Sequence, residues 1–223
     1  MNPEQARFNM IEQQIRPWQL IDQRVLDCLY VVKREDFVPP AYRALAFADM
    51  EIPIGQSQAM LPPRLDARFL QELNLKPDDR VLEIGTGSGY LAALIAASAA
   101  EVVTIECVPE LALQAQRRLE SHGFSNVTVV AGDGLAGWPQ GAPYDAIVLA
   151  GAVLEVPAAL LAQLKVGGRL LAVIGEAPAM QVQRVDCIEM GVFSKVALFE
   201  TMIPPLVAVK AHHDRRELDI DLS

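Results

Sequence analysis

The ten residues Val81-Leu82-Glu83-Ile84-Gly85-Thr86-Gly87-Ser88-Gly89-Tyr90 leave this chain few folds to choose from. A short apolar run, with Val81, Leu82 and Ile84 as its hydrophobic members, stops at three glycines spaced two apart. Leu91, Leu94 and Ile95 then recur at helical spacing on one face. The pattern reads as strand, glycine turn, helix. Glycines let a backbone turn sharply and approach a ligand closely, and the start of a helix offers free N–H groups. The loop is therefore suited to a nucleotide-like ligand. A dinucleotide-binding loop wants Gly or Ala at its sixth position, where this chain has Tyr90.

Two further apolar runs carry polar residues at their ends. Val102-Val103-Thr104-Ile105 ends in Glu106, twenty-one residues after Gly85, where an acid accepts hydrogen bonds from ribose hydroxyls. Val127-Thr128-Val129-Val130 leads into Gly132-Asp133-Gly134, where Asp133 can accept from an adenine amino group. All three sites fall at the carboxyl ends of successive expected strands, where open α/β sheets bind ligands. The G-x-G-x-G form preceded by an acid, Glu83, resembles the loop of S-adenosylmethionine-dependent methyltransferases. That resemblance implies S-adenosyl-L-methionine as cofactor. Its expected contacts are Glu83, Gly85, Thr86, Gly87, Ser88, Gly89, Glu106, Cys107, Asp133 and Gly134.

From Asp79 onward, expected strands and helices alternate, which predicts a doubly wound, mostly parallel sheet. Pro109 suits a first helical position and Gly123 the end of that helix. A helix is expected from Pro157 to Leu164, then a strand from Arg169 to Ile174. Gln181–Val185 and Val192–Met202 should form a hairpin at the sheet edge that supplies the only antiparallel strand. Before the sheet, residues 4 to 15 read as a helix with Phe8, Ile11 and Ile15 on one face. Asp22 can cap a second helix bearing Val25, Leu26, Leu29 and Val32. A proline-punctuated irregular stretch runs from Asp36 to Pro63, where a third helix begins with Leu65, Phe69 and Leu73 facing inward. Loops of that size are usually functional. The expected division is 1–75 (helices and substrate-covering loop), 76–210 (cofactor-binding domain) and 211–223 (charged tail).

Composition narrows the function classes. At 52% hydrophobic residues the chain of 223 can bury a large core. No apolar stretch reaches the roughly 18 residues of a membrane helix, and the first residues do not read as a signal peptide. A net charge of −9 with no Lys/Arg run argues against a nucleic-acid substrate. The strand ending in Ala150-Gly151-Ala152 lacks the N-P-P-Y-like motif of base-nitrogen methyltransferases. Cys28, Cys107 and Cys187 form no C-x-x-C pair, and the histidines show no metal-ligand spacing, so a reduced, cytoplasmic, metal-free protein is expected.

The chain is similar to the protein-L-isoaspartate (D-aspartate) O-methyltransferases from about Val25 to Leu206. The matching residues are Asp36-Phe37-Val38-Pro39, Ala46-Phe47-Ala48-Asp49, Ile52-Pro53-Ile54-Gly55-Gln56, Gly132-Asp133-Gly134, Tyr144-Asp145-Ala146-Ile147 and Pro205-Leu206. The resemblance implies the class I methyltransferase fold, a Rossmann-like sheet with added N-terminal helices. It also implies methyl transfer to the carboxylate of isoaspartyl residues in damaged proteins. One departure stands out. After Ile-Gly-Gln the family reads x-Gln-Thr-Ile-Ser-x-Pro, whereas here Ser57-Gln58-Ala59-Met60-Leu61-Pro62-Pro63 follows, so Leu61 takes the place of the family serine. Gln58 or Arg64 is then the expected donor to an acceptor carboxylate. Three activities remain open: isoaspartyl methylation by a rearranged loop, methylation of another acceptor on the same scaffold, and non-catalytic cofactor binding.

Overall fold

The structure is a computed structural model that describes residues 2–207. The expected charged tail, 211–223, lies outside the described residues. Seven strands form the central sheet: β3 (Arg80–Ile84), β4 (Glu101–Glu106), β5 (Val127–Ala131), β6 (Tyr144–Val153), β7 (Leu164–Glu176), β8 (Ala179–Glu189) and β9 (Val192–Glu200), in the order β5-β4-β3-β6-β7-β8-β9. The chain starts in the middle at β3, steps outward through β4 and β5, then returns to the other side of β3 as β6. This reversal between β3 and β6 is the switch point that opens a crevice beyond the strand ends. The pairings from β5 through β7 are parallel, and β8 alone of the seven runs against the rest.

Strands covered on both faces must be apolar on both, and the alternation of the pleat sorts their residues into two cores. Leu82, Ile84, Val103, Ile105, Ile147 and Leu149 point to one face. Val81, Val102, Ala146, Val148, Leu171 and Val173 point to the other, into one cluster with Met10, Ile11, Leu26, Leu29, Phe69 and Leu73 of the N-terminal helices. Glu83 and Thr104 share the parity of Val81 and Val102. They are carried under that helical layer and are fully buried.

The first helix, α1 (Pro3–Asn9), is capped by Asn2, whose side chain accepts from the Glu4 N–H. It widens into a π-helical turn over Met10–Ile15, which ends two residues before Pro17. The face actually buried is Ala6, Arg7, Met10, Ile11 and Ile15, and Phe8, expected inward, is exposed. In α2 (Gln23–Val31) the Asp22 cap and the buried set Val25, Leu26, Leu29 and Val32 occur as expected. The same holds for α3 (Pro63–Leu73) with Leu65, Phe69 and Leu73.

Between them, the stretch read as irregular contains a β-hairpin of β1 (Ile52–Gly55) and β2 (Gln58–Met60). Arg34 organises it from inside, fully buried: its guanidinium donates to the Ala46 carbonyl at 3.1 Å, the Leu61 carbonyl at 2.6 Å and Asp66 at 2.7 Å. After α4 (Tyr90–Ala96) and α5 (Pro109–Ser121), the helix expected over 157–164 shrinks to α6 (Ala158–Leu161). Strand β7 starts at Leu164 and runs through Gly167-Gly168, since Tyr144 and Ala146 of β6 pair on both sides of those glycines.

Candidate functional site

A cleft opens at the carboxyl ends of β3, β4, β5 and β6, at the switch point. The glycine loop forms its floor. Gly85, Gly87 and Gly89 have φ of 95°, 53° and 86°, which non-glycine residues rarely adopt, so the glycine spacing is a conformational requirement of this turn. Gly85, Gly87, Glu106, Cys107, Asp133 and Gly134 line the cleft on one side, and Ile54, Gln58, Ala59 and Leu61 of the hairpin region face them. Ala150, Gly151 and Leu206 close the third side. Leu206 donates its N–H to the Ala152 carbonyl at 2.9 Å, which straps the segment 204–206 beside β6.

The polar groups are set for a nucleoside. Glu106 is buried, and each carboxylate oxygen takes one backbone N–H: Gly87 on Oε2 at 2.8 Å and Val108 on Oε1 at 3.0 Å. Oε1 also meets the Cys107 thiol at 3.6 Å, and Oε2 keeps a second lone-pair direction free for a ribose hydroxyl. Asp133 Oδ1 accepts from the Leu135 N–H at 3.0 Å, so the side chain is fixed and its other oxygen remains for a ligand donor. At Gly134 an added Cβ would lie 2.5 Å from Ile84 Cγ2, so this backbone can approach the end of β3 only without a side chain. Burial pushes the Cys107 thiol up, with the Glu106 carboxylate adding to the shift.

Behind the glycine loop lies a second cavity of about 40 Å³, lined by Glu83, Thr86, Ser88, Asp66, Tyr90 and Leu61 among others. It shares Gly85, Gly87, Ala59, Leu61 and Ala150 with the cleft and so forms its inner end. Glu83 Oε1 and the Tyr90 hydroxyl are buried there without a hydrogen-bond partner in the protein. Burial pushes the Glu83 carboxyl up to about 8, opposed by the Thr104 hydrogen bond and reinforced by the Asp66 and Glu106 charges. Burial likewise raises Asp66 despite the Arg34 guanidinium beside it.

The residues read from the sequence thus divide. Gly85, Gly87, Glu106, Cys107, Asp133, Gly134, Gln58 and Leu61 line the cleft. Glu83, Thr86 and Ser88 line the inner cavity. Gly89 lines neither and instead forms the start of α4, packed near Ala115 and Leu119. Arg64, expected with Gln58 as a donor to an acceptor carboxylate, lies outside both linings: it pairs with Asp49 at 2.7 Å and stacks over Trp18 at 4.2 Å. Sequence reasoning missed Ala150 and Gly151 as lining residues, although the strand-end rule that located Glu106 applies equally to β6. It missed Arg34, Asp66 and Thr104 because single polar residues in apolar patterns carry no spacing signal. Among the described residues, no group of three or more His, Cys, Asp or Glu could hold a metal ion.

The family model of the protein-L-isoaspartate(D-aspartate) O-methyltransferases matches residues 5–210. A protein-L-isoaspartate O-methyltransferase of Koribacter versatilis is 39% identical over 210 residues, covering 94% of each chain. One from Gloeobacter violaceus is 47% identical over 166 residues, 74% of this chain and 81% of the relative. In fold, the chain matches a crystal structure of a Plasmodium falciparum protein-L-isoaspartate O-methyltransferase in complex with S-adenosyl-L-homocysteine. The TM-score is 0.79 at 20% identity, covering 93% of this chain and 99% of that one. On the extent of the family match and the identity to full-length relatives, the chain belongs to the protein-L-isoaspartate(D-aspartate) O-methyltransferase family of enzymes.

Proposed function

We propose that the chain binds S-adenosyl-L-methionine in the cleft and methylates the free carboxylate of isoaspartyl residues in polypeptides, in the cytoplasm, as a step of protein repair. The observation that carries the reading is the shared wall. Gln58, Ala59 and Leu61 from the hairpin side face Gly85, Gly87, Glu106 and Asp133 across one cleft, so an acceptor held by the hairpin meets a cofactor held by the loop. The residues present fit that cofactor. Glu106 would hold the ribose hydroxyls, Asp133 and Gly134 would meet the adenine, and the unpartnered Glu83 Oε1 would suit its cationic amino-acid end. When bound, the cofactor supplies an electrophilic methyl group on a sulfonium.

The protein has little proton chemistry to perform, because an acceptor carboxylate is already ionised at neutral pH. Its work is alignment, exclusion of water and fixed dipoles. Gln58 is the side chain placed to orient the carboxylate. Its amide makes only a 3.5 Å contact to the Gln56 carbonyl and can turn to a ligand. Glu106 and the glycine loop hold the donor side, and Leu206 with the hairpin covers both from solvent.

A second reading, methylation of a less polar acceptor, is favoured by the wall itself: Ile54, Ala59, Leu61 and Leu206 are apolar, and burying an unpaired charge against them is costly. One experiment separates the two, a methyl-transfer assay on an isoaspartyl peptide and its aspartyl counterpart. Wild-type activity confined to the isoaspartyl peptide supports the first reading. An inactive wild type that gains about a hundredfold on Leu61→Ser with Ala59→Thr, the scale of a restored donor, supports the second.

A further inference from the structure

Methyl transfer needs the acceptor wall and the donor wall of the cleft held in one alignment, yet the two belong to separate sheets. β1 and β2 pair with each other as a two-stranded sheet, and neither joins the seven strands behind the glycine loop. A two-stranded hairpin is marginally stable by itself, so other contacts must fix its place. Ile54 makes one: its Cδ1 would lie 3.4 Å from a Cβ added at Gly87. Such an apolar contact has no preferred direction.

Arg34 supplies direction. It comes from the turn after α2 and is fully buried, but it lines neither the cleft nor the inner cavity. On the hairpin side its Nη2 donates to the carbonyl of Leu61, one residue past the end of β2. Nε donates to the Ala46 carbonyl ahead of β1, and Nη1 to Asp66 on α3. On the donor side the guanidinium carbon stands 5.0 Å from the centre of the Tyr90 ring. Tyr90 follows Gly89 directly and opens α4, and its N–H donates to Ser88 Oγ at 3.2 Å. Phe37 packs against the same ring at 5.6 Å. One rigid, planar group thus bonds the end of the hairpin segment and lies over the first residue after the glycine loop.

Stability alone does not call for such a group. A buried ion pair can often be replaced by apolar residues of similar volume without loss. What apolar residues cannot reproduce is the guanidinium fork, which holds three acceptors at fixed angles.

We propose that Arg34 is a positioning residue for methyl transfer: it fixes the Leu61 end of the hairpin against the start of α4, and so sets the acceptor wall relative to a methyl donor held by the glycine loop. This rests on the cofactor and acceptor reading above. Arg34 acts through Leu61 and Tyr90, not on substrate or cofactor. Its loss should leave Glu106 and Asp133 in place for the nucleoside and let the hairpin drift against them. Misplacement by about 1 Å can cost on the order of 10²-fold in rate.

The test compares wild type with Arg34→Met combined with Asp66→Leu, which removes both charges together and puts apolar side chains in their place. Urea unfolding checks that the variant is folded, and calorimetry gives its affinity for S-adenosylhomocysteine. Initial rates on an isoaspartyl peptide give kcat and KM. The folded variant should bind S-adenosylhomocysteine within about threefold of wild type and lose kcat by about thirtyfold or more, with peptide KM changing by less than about threefold. Arg34→Lys keeps the charge opposite Asp66 but not the fork, and should lose kcat by about tenfold. A folded double variant with wild-type kcat overturns the proposal and leaves the methylation reading intact, and so does an affinity loss as large as the loss of kcat. A wild type that binds S-adenosylhomocysteine but leaves the isoaspartyl peptide unmethylated overturns the acceptor reading and this proposal with it. Should the double variant fail to fold, Arg34→Lys decides in the same way.

Discussion

Glu83→Gln isolates the cost of one buried carboxyl. Glutamine keeps the shape, and its amide oxygen can still accept from Thr104, but it cannot ionise. In the folded protein Glu83 titrates at about 8, against an ordinary 4.5. The folded state therefore holds this proton more tightly than the unfolded chain does. Stability from that preference is complete below the ordinary value and is lost as pH rises through about 8. At about 1.4 kcal/mol for each pH unit, the climb from about pH 5 to about pH 8 is worth about 4 kcal/mol. For a domain of this size that is on the order of 10 °C in Tm. Urea unfolding of the ligand-free protein at pH 5 and pH 9 reads the effect. On going from the lower pH to the higher, wild type should lose about 4 kcal/mol more than Glu83→Gln. Any fixed cost of burying the amide cancels in that double difference. Parallel pH profiles for the two proteins would refute the argument, because they would mean that Glu83 titrates alike in both states.

Glu106→Ala should weaken S-adenosylmethionine by roughly 2–3 kcal/mol, since charge-assisted bonds are lost and the Gly87 and Val108 N–H groups lose their acceptor. Unchanged affinity by calorimetry would remove Glu106 from the site. Asp66→Ala leaves the Arg34 guanidinium buried with only the Ala46 and Leu61 carbonyls to accept from it, and should cost about 3–5 kcal/mol in urea unfolding. Arg34→Met combined with Asp66→Leu should recover much of that loss, and a double variant no better than the single would contradict it.

What could be read from the sequence followed backbone necessity. The turn after β3 needs positive φ at Gly85, Gly87 and Gly89, so the glycines announce it, and strand ends at Glu106 and Asp133 follow from apolar runs. The β1–β2 hairpin left no such mark. Its turn puts Gln56 and Ser57 at φ of 53° and 56°, conformations that Asn-Gly ordinarily signals. Phe8 was misplaced because the π-helical turn over Met10–Ile15 alters the helical period, and the periodic reading assumed a regular helix. Gly167-Gly168 read as a break, yet strand pairing to β6 carries β7 through it. The Arg34–Asp66 pair unites residues 32 positions apart, and only tertiary packing brings such partners together.

The strap at 204–206 has a consequence for the order in which the protein is made. The loop, Glu106 and Asp133 are all synthesised by residue 134, but the wall that Leu206 presses over Gly85 and Gly151 arrives about seventy residues later. A chain ending at Glu200 would keep the glycine loop, Glu106 and Asp133 and lose the apolar wall that Leu206 sets beside them.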